Sequence, residues 1–221
     1  MSMQSSHLTI DQFKTMDQLA ITQYGIPVEL MMENAGLQLA SFITKRTSKD
    51  SKILIGAGTG NNGGGGLVAA RRLSGWGYQV HLDIPDPNLK DLPASQLNRA
   101  IAFGANRTPV EQPQVFVDAY FGLSQRQPIP AVFQESLLRY GLSGVYKISL
   151  DIPTGFDKET GEYYFTPDSI LTMAAPKTEL ILSGISAEIF VVDIGIPVQL
   201  YHELGAVQPD FAGLGFVKQD S

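Results

Sequence analysis

From Lys52 onward the chain alternates short apolar, β-rich runs with helical stretches. This pattern restricts it to an α/β fold of parallel strands joined by right-handed helical crossovers. The runs are Ile53–Ile55, Gln79–Leu82, Val115–Val117 and Lys147–Leu150, with helices expected from about Gly66 to Leu73, around Ala94–Phe103 and around Ala131–Tyr140. Ser169–Met173 and Ile189–Val192 are further strand candidates, the latter continuous enough to be covered on both faces. Two helices are expected ahead of the strands. Thr9 with Gln12 forms a capping-box pattern, and Phe13, Met16, Ala20 and Tyr24 follow at steps of three or four. After the break at Gly25-Ile26-Pro27, Met31, Ala35, Leu39 and Phe42 trace a second stripe. Covering the domain's own sheet is the expected use of both stripes, with a dimer contact as the alternative.

These elements predict a three-layer α/β/α sandwich, Rossmann-like, with a mainly parallel central sheet. We read residues 1–221 as a single domain, with a helical preface at about 9–48 and the sheet at about 52–217. The 43% hydrophobic content over 221 residues suits one well-cored domain. No window approaches the roughly 20 apolar residues of a membrane span. The segment Met1 to Thr9 lacks Lys and Arg, so neither a secretory signal nor a transit peptide is expected, and the reading is a soluble, cytoplasmic protein. Zero cysteines exclude disulfides, thiolate ligands and a Cys nucleophile. A net charge of -6 disfavours nucleic acid as a partner, and Arg71-Arg72 reads as a solvated helix face rather than a phosphate contact.

Three turns end strand candidates: Gly58 to Gly66, Asp118 to Gly122 and Asp151 to Gly155. In an open parallel sheet they meet outside the carboxyl edge, where such folds bind ligands. Gly58-Thr59-Gly60-Asn61-Asn62-Gly63 matches a dinucleotide fingerprint, and Asp83, 20 residues after Gly63, stands where a ribose-binding acid would in a nicotinamide oxidoreductase. No Lys follows the loop as in a phosphate-binding P-loop. Asp118 and Asp151 each suit a turn cap, a metal ligand or an acid–base group, and their convergence on one edge favours a site. Oxygen donors from Asn, Asp and Thr suit a hard cation, whereas the absence of Cys and the scattered His7, His81 and His202 argue against zinc.

Seven ordered motifs resemble the NAD(P)H-hydrate epimerases, the YjeF N-terminal domain family, over nearly the whole chain. They are Met16-Asp17 through Tyr24-Gly25-Ile26-Pro27, Leu30 to Gly36, Gly60 to Gly64 with Gly66 to Arg71, Val117-Asp118-Ala119 with Phe121-Gly122, Asp151-Ile152-Pro153-Thr154-Gly155, Ala175-Pro176-Lys177 and Asp193 to Pro197. The resemblance implies a sandwich, often dimeric, that repairs NADH or NADPH damaged by hydration of the nicotinamide ring. It implies interconversion of the R and S forms at the hydroxyl-bearing ring carbon, the S form passing to a separate dehydratase, for which this chain is too short. Asn62, Asp118 and Thr154 would hold a potassium ion, Thr154 replacing a more usual serine. Asn61, Asn62, Gly63, Gly64 and Gly65, together with Gly122, Leu123, Ser124, Gln125, Arg126, Gln127 and Pro128, would contact the dinucleotide. Asp151 would face the damaged ring as the catalytic acid–base group. Gly65 stands where the family pattern carries Asp, which removes an acceptor for a ligand hydroxyl. That departure makes a non-catalytic binding module the alternative from another functional class.

Overall fold

The structure is a computed structural model that describes residues 5–142, 144–213 and 215–219. Two helices, α1 (Ile10–Thr22) and α2 (Val28–Thr44), precede β1 (Lys52–Ala57), α3 (Asn61–Gly75), β2 (Gln79–Asp83) and α4 (Asp91–Ala102). The chain continues through β3 (Val115–Ala119), α5 (Ala131–Tyr140), β4 (Tyr146–Leu150), β5 (Ser169–Met173) and α6 (Thr178–Leu182), then β6 (Glu188–Val192), α7 (Val198–Glu203) and β7 (Phe216–Lys218). The sheet runs β2-β1-β3-β4-β5-β6-β7, parallel except for β7, which pairs antiparallel to β6. β1 is the second strand of this order, between β2 and β3, and β4 follows β3, so the carboxyl ends of β1, β3 and β4 lie side by side. The three turns therefore meet on one edge, as the alternation predicts.

The capping box at Thr9 is present: its hydroxyl accepts from the Gln12 N–H and its own N–H donates to the Gln12 side chain. Phe13, Met16, Ala20, Met31, Ala35, Leu39 and Phe42 are buried in the main core with Ile53, Ile55 and Val117, so both stripes cover the sheet. Tyr24 departs from expectation, lying beyond the end of α1 and exposed. Arg71 and Arg72 also depart from it. Both are part-buried and donate to Glu33 Oε2, at 2.5 and 3.0 Å, tying α3 to α2. β7, α6 and α7 were not foreseen, because three to six residues leave too little periodicity to read.

The largest correction is the start of α3. The helix begins at Asn61, with Gly60 as its N-cap, so Gly63 to Gly66 form helical turns rather than a loop ahead of the helix. Close packing explains why glycines tolerate a position that costs about 1 kcal/mol per residue against Ala. A Cβ at Gly63 would collide with the Gly58 carbonyl, one at Gly64 with Met32, and one at Gly66 with Ala119. The glycines let the helix start sit directly on the sheet edge and on α2.

Candidate active site at the carboxyl edge of the sheet

A cavity of about 360 Å³ opens at this edge, walled by Phe13 and Asp17 of α1, Met31 and Met32 of α2, and the start of α3. The Tyr120–Gln125 turn, Asp151, Met173 and Ile194 complete it. Asn61, Asn62, Gly65, Gly122, Leu123, Ser124, Gln125 and Asp151 all line it, so eight of the expected residues share one space. Gly63 and Gly64 are buried against Gly58 and Met32 instead. Arg126 and Gln127 line an adjoining cleft that shares Leu123, Ser124 and Gln125 with the cavity, and Pro128, after a cis peptide bond, lies beyond with Tyr163 and Tyr164.

Behind this wall Asp118 is fully buried at the end of β3. Its Oδ1 accepts from the Thr154 hydroxyl at 2.6 Å and the Tyr120 N–H at 3.3 Å, and its Oδ2 accepts from the Thr154 N–H at 2.8 Å and the Ser149 hydroxyl at 2.9 Å. All four donors are neutral. Burial raises the Asp118 pKa and these hydrogen bonds draw it back. Thr154 Oγ1 also accepts from the Phe121 N–H at 3.1 Å, locking the β3 turn to the β4 turn. Asn62 reaches the same junction: its Nδ2 donates to the carbonyls of Phe121 and Leu150, at 2.8 and 3.2 Å, which leaves Oδ1 buried without a partner.

Asp151 differs in every respect. Its backbone is left-handed at φ 73°, a conformation that costs a non-glycine residue about 1–2 kcal/mol and that Asp tolerates better than most. The Asp151 N–H donates to the Leu171 carbonyl at 2.7 Å, so strand pairing holds that geometry. Oδ2 accepts from the Leu123 N–H at 3.2 Å, while Oδ1 is buried with no hydrogen bond. The Lys177 ammonium lies 3.6 Å from Oδ1, beyond hydrogen-bond length but within ion-pair range. Lys177 is itself fully buried. It donates to the carbonyls of Met173 and Ala175, at 2.5 and 3.0 Å, and sits 3.7 Å from the centre of the Phe13 ring. Burial lowers its pKa to about 8, against the opposing pull of Asp151, Asp17 and Glu179. Asp17, half-buried on the cavity wall, has its pKa raised by burial first and by Asp151 second.

Asp83 takes no part in the cavity; it is buried and accepts the Tyr120 hydroxyl at 2.5 Å, which removes the ribose contact that an oxidoreductase reading requires. His7 bonds Thr178, His81 bonds the Thr108 carbonyl, and His202 is exposed, so the histidines stay outside the site as expected. Sequence reasoning gave Lys177 and Asp17 no role, although both had visible signals. Asp17 occupies a position of the inward stripe of α1 between Met16 and Ala20, and Lys177 ends the uncharged segment Ile170–Pro176.

Comparison with known proteins is decisive for the family. The model of the YjeF-related protein N-terminus matches residues 28–179. The chain belongs to the YjeF N-terminal family. It is 34% identical over 211 residues to an NAD(P)H-hydrate epimerase of Dehalogenimonas lykanthroporepellens, covering 90% of this chain and 85% of the relative. A bifunctional NAD(P)H-hydrate repair enzyme of Thermofilum pendens is 29% identical over 215 residues, which cover 88% of this chain and 41% of that longer protein. The fold matches the crystal structure of yeast ynu0 with a TM-score of 0.85 at 22% identity, over 96% of this chain and 99% of that one. Among the described residues no helix is long and apolar enough to cross a membrane.

Proposed function

We propose that this protein is an isomerase of metabolite repair that interconverts the R and S forms of hydrated NADH and NADPH. The observation that carries the reading is Asp151, a carboxylate held in left-handed backbone by Leu171 and Leu123, beside a buried ammonium and on the wall of a cavity that the helix start also lines. Relatives named NAD(P)H-hydrate epimerase, aligned over most of the chain, support it.

The chemistry needs little more than proton transfer. The hydroxyl sits on a ring carbon next to nitrogen, so the nitrogen lone pair assists departure of the oxygen as water once it is protonated. The resulting ring is planar at that carbon, and water returning to the opposite face inverts the centre. Asp151 moves a proton at the departing or arriving oxygen, a contribution of roughly a hundredfold to ten-thousandfold. Around it, Phe13, Met31, Met32 and Ile194 supply apolar walls that exclude bulk water. Gly60 and Asn61 open α3 at the cavity wall, and the N–H groups of a helix start suit the pyrophosphate. Gly65 removes one acceptor near the ligand but leaves Asp151 and its supports intact.

Asn62, Asp118 and Thr154 would hold a potassium ion. The orphaned Asn62 Oδ1 and a buried Asp118 anion paired only with neutral donors fit an oxygen-liganded monovalent cation. Such an ion would neutralise Asp118 and brace the turns that shape the cavity. The preface and sheet act as one domain, supported by their common core. We place the protein in the cytoplasm, as a homodimer whose S product passes to a dehydratase; the fused repair enzymes among its relatives support that coupling. Incubating the protein with chemically hydrated NADH and separating the epimers by chromatography tests the reading. Equilibration of R and S well above the uncatalysed rate is expected, and a folded protein that leaves both epimers unchanged would overturn it.

A further inference from the structure

Inversion poses a problem that Asp151 alone does not solve. The oxygen must leave from one face of the ring and arrive on the other, yet Asp151 is pinned by the Leu171 carbonyl at its backbone and by the Leu123 N–H at its carboxylate. A group so fixed reaches one face. The other face needs its own proton carrier, placed on a different element.

Resting on the epimerase reading above, we infer that Asp17 of α1 is the second catalytic carboxylate, serving the ring face that Asp151 does not reach. Asp17 lines the same cavity but comes from the helical preface, whereas Asp151 is fixed to the sheet edge. Its carboxylate takes no hydrogen bond among the described residues and is free for a ligand. Asp151 lines the same space, and its Oδ1 takes no hydrogen bond and lies 3.6 Å from the Lys177 ammonium. The buried Lys177 ammonium, 3.6 Å from Asp151, also acts electrostatically on Asp17, so the pair carries one compensating positive charge. The environments also divide the roles. Asp17 is pushed toward its protonated form by burial and by Asp151, while Asp151 has the ammonium at 3.6 Å. Asp17 therefore suits the acid that protonates the leaving oxygen, and Asp151, beside the ammonium, the carboxylate that receives a proton.

The step balances with water as the only co-reactant. The Asp17 carboxylic acid gives its proton to the ring hydroxyl, the carbon–oxygen bond breaks, the electron pair leaves with oxygen as water, and the nitrogen lone pair forms the carbon–nitrogen double bond. A water on the opposite face then bonds to the same carbon and passes its proton to the Asp151 carboxylate. One water is released and one consumed. Asp17 ends ionised and Asp151 protonated, which is the arrangement that inverts the other epimer in the reverse sense; exchange with solvent through half-exposed Asp17 resets the pair.

The test follows both inversion and oxygen exchange, with each epimer of hydrated NADH in water enriched in oxygen-18. Wild-type protein should take up one solvent oxygen per inversion. Asp17→Asn should slow inversion by roughly a hundredfold to ten-thousandfold, yet still exchange the oxygen of one epimer without inverting it. Asp151→Asn should do the same for the other epimer. Three results overturn the inference: Asp17→Asn inverting at the wild-type rate, folded Asp17→Asn exchanging oxygen in neither epimer, or wild-type inversion without oxygen uptake. The last needs no variant and holds even if Asp17→Asn fails to fold. Wild-type protein that inverts nothing would instead defeat the epimerase reading itself.

Discussion

Asp118 and Asp151 look alike in the chain: each ends a β-rich run, each begins a turn, and each is followed by glycine four residues later. In the folded protein they are opposites. Asp118 accepts four hydrogen bonds, two on each oxygen, which makes it the clamp that joins the β3 and β4 turns. Asp151 sits in left-handed backbone, keeps one oxygen unpartnered and stands beside a buried ammonium. A satisfied carboxylate stabilises; one held in strained geometry with a free oxygen is available for chemistry.

Substitution should separate the two cleanly. The largest effect expected is on turnover: Asp151→Asn should lower kcat for epimerisation by roughly a hundredfold to ten-thousandfold, about 3–5 kcal/mol in the barrier. The fold should persist, because Asn adopts left-handed backbone as readily as Asp and the Lys177 ammonium keeps the Met173 and Ala175 carbonyls. A variant that keeps its activity would end the distinction. Asp118→Ala should do the reverse in stability, losing roughly 3–4 kcal/mol by denaturant unfolding, since the Thr154 N–H and the Thr154 and Ser149 hydroxyls are left unpaired in the core. A loss below about 1 kcal/mol would show that the clamp contributes little.

Lys177 sharpens the comparison through pH. Burial holds its pKa at about 8 against 10.5 in the exposed state. Between those values the unfolded chain binds a proton that the folded chain has released, so stability linked to Lys177 rises with pH across that window and is flat below about 8. Wild type should therefore gain on Lys177→Met by up to roughly 3 kcal/mol from pH 8 to pH 10.5, at about 1.4 kcal/mol per unit. A constant difference would mean that Asp151 and Asp17 compensate the ammonium completely. The smallest effect expected is at Gly65. A Cβ there meets only Leu150 Cδ2, at 3.1 Å, so Gly65→Asp should fold with a cost of no more than about 1 kcal/mol. Regaining an acceptor for a ligand hydroxyl should lower KM by roughly fivefold to thirtyfold, or about 1–2 kcal/mol; an unchanged KM would remove Gly65 from ligand recognition.

Much of this site was legible before the structure. Alternation of runs with helices placed three turns on one edge, and the motif order identified the family. Periodicity also predicted the use of the preface, because an apolar stripe must be buried somewhere. Glycine signals a turn in sequence, but at Gly63 and Gly66 it answers to a carbonyl and a strand packed too close for a side chain, and at Gly64 to the end of the Met32 side chain.

What the sequence determined by itself was the order of elements and the set of chemical groups at one edge, since both follow from local period and residue type. Which aspartate is a clamp and which is left free was decided only by tertiary structure. So was the arrival of Lys177 beside Asp151 and of Asp17 on the wall of the same cavity. Hydrogen-bond satisfaction, burial and charge pairing depend on neighbours brought from distant segments, and no local pattern records those neighbours.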